Sequence, residues 1–267
     1  MAGLTGKTIT SSYKSILRVD DNNGVGTTTL VVTDGEGTKS CFYLSDDQIL
    51  IQPQDDNTSA AFVVQNKTGN NLLQVNTLTD IVRVNRGGEI ANTQYAHFGV
   101  TNTDSASFAD DTHQAIPFGG SNGMGNASYP PEFGTSTEPE TTFTTADANN
   151  HRASDLVPCL WFVPDNITID DVYAFVGSDV ATADTATRIH LFQYTFNSGS
   201  TSALTSGSVI AHSTADTNNA GSEQAYKTTL SKDVTDIAAG QVIVATFRSD
   251  SINGDFSINI TCKYHLR

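Results

Sequence analysis

The chain has 267 residues, with 14 Lys and Arg against 29 Asp and Glu and a formal net charge of −15 at pH 7. Such an acidic surface repels phosphate backbones and anionic lipid headgroups, so we expect neither nucleic acid nor a membrane as a partner. The length suits one large unit or two smaller domains. The first six residues lack an apolar core, which predicts a protein made in a cytosol without a secretory signal.

Residues 1–87 are predicted to form an N-terminal β unit, serving as a stalk or anchor. Short apolar runs alternate with turns rich in Asp, Asn, Gly and Pro, which is the pattern of strands joined by tight connections. The predicted strands are Lys14–Val19, Thr28–Thr33, Cys41–Leu44, Gln48–Gln52, Ala61–Gln65, Leu72–Val75 and Ile81–Val84.

The last three of these strands lie in the segment 59–85 and recur about every ten residues. Strands this short, with so few apolar side chains, cannot bury a core by themselves, because isolated hairpins are marginal in water. We therefore expect them to close against other copies of the chain in an intertwined oligomer. The candidates for the core of a trimer are Phe62, Val64, Leu73, Val75, Val82 and Val84.

Residues 88–150 are predicted to be a loop-rich linker or arm. Gly, Pro and Ser are dense there, regular periodicity is missing, and aromatic residues are spaced singly. Those aromatic side chains argue against full disorder and would dock the segment onto a neighbouring surface. We expect its order to depend on that surface.

Residues 151–267 again show the short apolar runs that are typical of strands, and helix signals are nearly missing. Eight strands in this length favour a jelly-roll β-sandwich and an all-β fold for the whole chain. They are Leu160–Val163, Ile167–Ile169, Val172–Val176, Arg188–Phe196, Ser208–His212, Tyr226–Leu230, Val242–Phe247 and Phe256–Tyr264. His190, Phe192 and Tyr194 alternate on one strand face; packing within the fold is favoured, and an interface or a glycan-contacting face is the alternative.

The string FVVQNKTGNNLLQVNTLTDIVRVN, residues 62–85, resembles a repeat in tail fibres and other virion proteins of tailed bacteriophages. There, apolar pairs and Gly-containing turns alternate in trimeric β stalks. Residues 16–57 resemble the N-terminal region of structural proteins from marine tailed phages, and residues 157–175 resemble the opening of phage jelly-roll domains.

This resemblance implies a non-enzymatic virion structural protein that is assembled in the host cytoplasm. It would be a homotrimeric tail fibre, head fibre or capsid decoration, bound to other virion proteins of the capsid or tail. The alternative is a receptor-binding module that recognises carbohydrate on the host surface. Head and tail attachment both stay open.

No catalytic residue or cofactor is expected. The Gly119–Gly123 segment matches G-x-S-x-G, but the strand and helix that expose a nucleophilic serine are missing around it. Carboxylates on adjacent residues do not face each other across a cleft as a glycosidase requires, and we expect them to lie in solvated turns. These pairs are Asp46-Asp47, Asp55-Asp56, Asp110-Asp111 and Asp170-Asp171.

Metal binding is not expected either, because the six histidines share no ligand spacing. A loose calcium site at Asp20–Gly24 stays open as an alternative, although the segment lacks the Gly and Glu of an EF-hand. The three cysteines are predicted to be buried, reduced thiols, with a Cys159–Cys262 disulfide as the alternative.

Overall fold

The computed structural model describes residues 17–19, 24–84, 89–103, 109, 111–119, 130–180, 185–213, 217–219, 224–249 and 254–267. The chain divides into two compact units, Met1–Ala91 and Asn92–Arg267. Strands dominate both units, and the described residues contain a single four-residue α-helix, α1 (Ala153–Leu156). The predicted all-β fold is therefore confirmed.

Unit 1 contains two antiparallel sheets in which consecutive strands pair. The first sheet has β1 (Arg18–Val19), β2 (Leu30–Thr33), β3 (Lys39–Leu44) and β4 (Ile49–Ile51). The second has β5 (Phe62–Gln65), β6 (Asn71–Asn76), β7 (Ile81–Val84) and β8 (Glu89–Ile90). The short strands predicted for this region are found, although residues 14–16 of the first lie outside the described residues.

Side chains in the turns stabilise these hairpins. The Asn66 carboxamide oxygen accepts hydrogen bonds from the backbone N–H groups of Thr68 and Asn70, each at 3.0 Å. Gly69 follows with φ +82°, a conformation that L side chains rarely adopt. Asp34 makes the equivalent bonds in the β2–β3 turn, to Glu36 at 2.9 Å and Thr38 at 2.8 Å. Asx-type turns of this kind set the register of the strands on either side.

Unit 2 is built from β9 to β20. The strands are β9 (Thr93–Thr103), β10 (Gln114–Ile116), β11 (Trp161–Phe162), β12 (Ile167–Val180), β13 (Thr185–Phe196), β14 (Leu204–His212), β15 (Thr217–Asn219), β16 (Gln224–Thr229), β17 (Ser231–Lys232), β18 (Asp236–Ile237), β19 (Gln241–Ser249) and β20 (Gly254–Leu266). Short 3₁₀ turns at Asn149–His151 and Val157–Cys159 flank α1.

Eight of these strands follow the jelly-roll order. One sheet runs β16-β12-β20-β9 and the other runs β10-β19-β13-β14, with the short strands at their margins. The two sheets are BIDG and CHEF when their eight strands are lettered B to I in chain order. The lettered strands are β9, β10, β12, β13, β14, β16, β19 and β20. This is the arrangement of the eight-stranded jelly roll, so the predicted architecture is found.

The predicted boundaries of the jelly roll differ from the observed ones, because strands B and C come from residues 88–150. Ala96, Phe98 and Val100 on β9 alternate inward and are at most 5% exposed. This period-2 pattern is hidden among Gly, Asn and Thr residues, which resemble a loop.

The two predicted strands at 167–169 and 172–176 are one strand, β12, with an irregularity between Ile169 and Asp171.

The apolar residues of unit 2 form two clusters, one on each side of the CHEF sheet. The first lies between the sheets and includes Phe98, Ile189 and Ile260. The second covers the outer face of CHEF, where the Phe133 ring packs against Tyr194 of β13 and Phe143 packs against Phe133. The described residues from 92 to 150 therefore belong to unit 2, and the expectation of a separate arm is wrong for them.

Candidate assembly surface

The six residues predicted to form a trimer core lie on one face of the β5–β8 sheet. In the cross-strand register, Phe62 is opposite Val75, and Val75 is opposite Val82. In the neighbouring row, Leu73 lies between Val64 and Val84. Residues two apart on a strand share a face, so two rows of three apolar side chains lie side by side. We call these six residues the stitch face.

The stitch face is incompletely covered by the described residues. Phe62, Val64 and Val82 are 38%, 40% and 39% exposed. No described residue of β5–β8 is buried, and the buried residues described in unit 1 lie outside that sheet. A sheet with an apolar face normally packs that face against another element. The stitch face is therefore an apolar surface that the described residues leave partly exposed.

The opposite face of the same sheet has a mixed character. Gln74 and Arg83 are direct cross-strand partners there, and the Gln74 carboxamide donates a 2.7 Å hydrogen bond to the carbonyl oxygen of Ser59. Leu72, on that side of β6, is 45% exposed. The two faces thus differ in chemistry, and the uniform apolar character belongs to the stitch face.

The other predicted contact residues are buried inside unit 2. His190, Phe192 and Tyr194 are 4%, 1% and 0% exposed, and the Tyr194 hydroxyl donates a 2.7 Å hydrogen bond to the carbonyl oxygen of Glu140. The structure therefore shows packing within the fold, which was the favoured interpretation. The alternative, in which these residues form an interface or contact a glycan, is wrong. Segment 130–160 covers this strand face, which the sequence did not reveal.

A row of histidines in unit 2 was missed by the sequence analysis. The rings of His113 and His190 have centroids 5.0 Å apart, and those of His190 and His212 are 6.1 Å apart. His190 and His212 are cross-strand partners on β13 and β14, and His113 directly precedes β10. Burial lowers the pKa of His113 to about 4 and that of His190 to about 3.

These histidines do not form an evident catalytic or metal site. His113 and His190 are 0% and 4% exposed, so a substrate has no direct access to them. His212 has a carboxylate partner, with its Nδ1 2.6 Å from Asp233 Oδ2. Within the described ranges, no group of three or more His, Cys, Asp or Glu residues is placed to hold a metal ion.

The other residues considered for catalysis or calcium binding do not come together in one site among the described residues. The Asp170 carboxylate lies 3.0 Å from Nδ1 of His265, whereas the Asp171 carboxylate lies 3.8 Å from Nζ of Lys232, so the two carboxylates have separate partners. Both lie on strand β12 rather than in the solvated turn that was expected. Residues 20–23 of the calcium-like segment, Asp110 and residues 120–123 of the G-x-S-x-G match lie outside the described residues.

The cysteines are free, and two of them are buried. Cys159 belongs to the cluster outside the CHEF sheet and Cys262 to the cluster between the sheets. The alternative of a Cys159–Cys262 disulfide is therefore wrong, and the prediction of buried, reduced thiols is confirmed for these two residues. Cys41 is exposed on β3, contrary to the expectation that it is buried. The prediction depended on Phe42, Tyr43 and Leu44, which follow it, but its sheet carries few buried residues.

Comparison with known proteins adds little to this geometry. No family model matches the chain, and no curated protein matches it. Among solved structures, a chain of the T13 viral particle of IBDV aligns with 94% of this chain and 75% of its own length. The identity is 8% and the TM-score is 0.14, values that support no assignment of fold or function. Among the described helices, none is long and apolar enough to cross a membrane.

Proposed function

We propose that this chain is a non-enzymatic structural protein of a tailed-phage virion that assembles as a homotrimer through the stitch face. The observation that carries the proposal is the six-residue apolar face of a sheet that has no buried residue of its own among those described. The resemblance of residues 62–85 to trimeric β stalks supports three copies and supports the class of virion component.

The energetics favour burial of this face by association. Fully burying a Val or Phe side chain stabilises a protein by roughly 1.5–3 kcal/mol, and each copy contributes six partly exposed apolar side chains. Valines and phenylalanine in two aligned rows pack well against the same rows of a symmetry-related sheet. Unit 1 would form the shared core, attached to other virion proteins, while each copy of unit 2 would remain a separate jelly roll.

Light scattering coupled to gel filtration tests the assembly. We expect the intact chain to have three times its single-chain mass of 28.4 kDa. Val75 lies in the middle of the stitch face, between Phe62 and Val82, so Val75→Asp would bury an unpaired carboxylate and should dissociate the trimer.

Leu72→Asp is the matched control for this test. Leu72 lies on the same strand, faces the opposite side of the sheet and is 45% exposed. We expect this variant to keep the wild-type mass. A wild-type protein that runs as a single monomeric species, or a Leu72→Asp variant that dissociates as fully as Val75→Asp, contradicts the proposal.

A further inference from the structure

A shallow groove crosses the outer face of the BIDG sheet in unit 2. It has a volume of about 200 Å³, and the residues that shape it are Gly99, Phe175, Gly177, Ala225, Ser257 and Asn259. Phe175 is 52% exposed, while its neighbours Ala174 and Val176 are buried and point into the core. The Phe175 ring therefore lies on the outside of the sheet at the groove.

The groove exists because side chains are small or missing around this ring. Gly177 is two residues further along the same strand face and is paired with Ser257 and Ala225. Across the sheet, Asn259 pairs with Phe175 on one side and with Gly99 on the other. The result is an exposed aromatic ring beside a floor of backbone, with the Asn259 carboxamide and the Ser257 side chain on the same outer face.

The charge of the groove indicates the class of ligand. None of its lining residues is ionisable, although the chain as a whole has a net charge of −15. Lys227 is the cross-strand neighbour of Phe175, but its ammonium lies over the ring of Tyr173, 5.3 Å from the centroid. That contact places the ammonium over Tyr173, and Phe175 is 52% exposed among the described residues.

We propose that this groove binds one or two rings of an uncharged saccharide. A pyranose ring offers an apolar C–H face that stacks on an aromatic ring, and hydroxyl groups that exchange hydrogen bonds with a carboxamide and a serine. The volume is below the roughly 300–1,000 Å³ of pockets that bind drug-sized molecules, which suits a ligand of this size. This binding site is separate from the stitch face and goes beyond the assembly role.

Saturation-transfer NMR with the intact protein tests the site, using maltotetraose, cellotetraose and chitotetraose as probes. We expect saturable binding of at least one probe, with transfer to its ring C–H protons. Phe175→Ala should weaken this binding at least tenfold, because it removes the stacking surface. Gly177→Leu should do the same by filling the groove: a Cβ at Gly177 meets only Ser257 Cβ, at 4.0 Å, so the backbone tolerates it.

Phe162→Ala is the matched control, because Phe162 is a 57% exposed phenylalanine on strand β11. It should bind the probe like the wild type. The proposal is overturned if no probe binds saturably, or if both groove variants bind as the wild type does. It is also overturned if Phe175→Ala lowers the oligomer mass, since the groove would then be an interface between copies. Failure of the assembly proposal is distinguishable, because Val75→Asp tests mass and leaves the groove intact.

Discussion

The imidazole rings of His113 and His190 meet edge to face inside unit 2, with their centroids 5.0 Å apart. Burial keeps the pKa of each well below its usual value, and the positive charges of Arg188 and Arg248 add to the effect. His212, on the far side of His190, and Arg248 each have an aspartate partner, Asp233 and Asp111 respectively. The two buried histidines are therefore uncharged at neutral pH.

This pair should make unit 2 sensitive to acid. Because the pKa of both groups is lower in the folded chain than in the unfolded one, the unfolded chain binds more protons below about pH 6.5. The stability that depends on the two neutral histidines is therefore fully present above that pH. It is lost as the pH falls toward their pKa values in the folded chain, about 4 and about 3. The expected slope is about 1.4 kcal/mol per pH unit for each histidine.

Urea unfolding at a series of pH values measures this slope, with Trp161, the single tryptophan and part of the core of unit 2, as the fluorescent probe. His190→Gln should roughly halve the slope, because one proton-binding group is removed. His97→Gln, at an exposed position on β9, is the control and should keep it. Equal slopes for the wild type and His190→Gln would refute the assignment.

Phe133 should be a principal anchor of segment 130–160. Its side chain is fully buried and its ring lies 4.9 Å from that of Phe143 and 5.7 Å from that of Tyr194. Phe133→Ala should reduce the free energy of unfolding by about 3–5 kcal/mol. Phe162→Ala, at a 57% exposed position, should cost less than about 1 kcal/mol. Similar losses in the two variants would show that the segment does not pack on the CHEF sheet.

Gly207 should tolerate no side chain. A Cβ there would collide with Cε1 of Tyr194 and lie 2.8 Å from the Cα of Thr141, so a buried ring and a backbone would both have to move. We expect Gly207→Ala to lower stability by about 1–3 kcal/mol in urea unfolding. Gly177→Ala is the matched control, since its Cβ has ordinary contacts only. A Gly207→Ala protein as stable as this control would contradict the packing.

The thiols should differ sharply in reactivity. Burial raises the pKa of Cys159 and of Cys262 to about 12, so neither is a thiolate at neutral pH, whereas Cys41 is exposed. A thiol reagent should modify one cysteine per native chain and all three after unfolding in urea. Cys41→Ser should abolish the native reaction. Modification of only one thiol after unfolding would mean that Cys159 and Cys262 are joined.

Local patterns were sufficient to predict much of unit 1. Asn66, Gly69 and their neighbours set tight turns, and alternation placed Phe62 and Val75 on one face, because hairpin pairing depends on residues close in sequence. The two rows of the stitch face follow from that register. What covers this face, another chain in our proposal, is not encoded in these local patterns.

Unit 2 shows where sequence reasoning fails and why. An alternating run such as Arg188–Phe196 determined by itself which side chains share a face, because successive residues on a strand point to opposite sides. Only the tertiary structure decided that the face with His190 and Tyr194 is buried, since its cover, Phe133 and Phe143, comes from a segment without periodicity. The groove beside Phe175 likewise requires glycines on two strands that are distant in sequence. Such features arise from long-range pairing, which single-strand patterns do not specify.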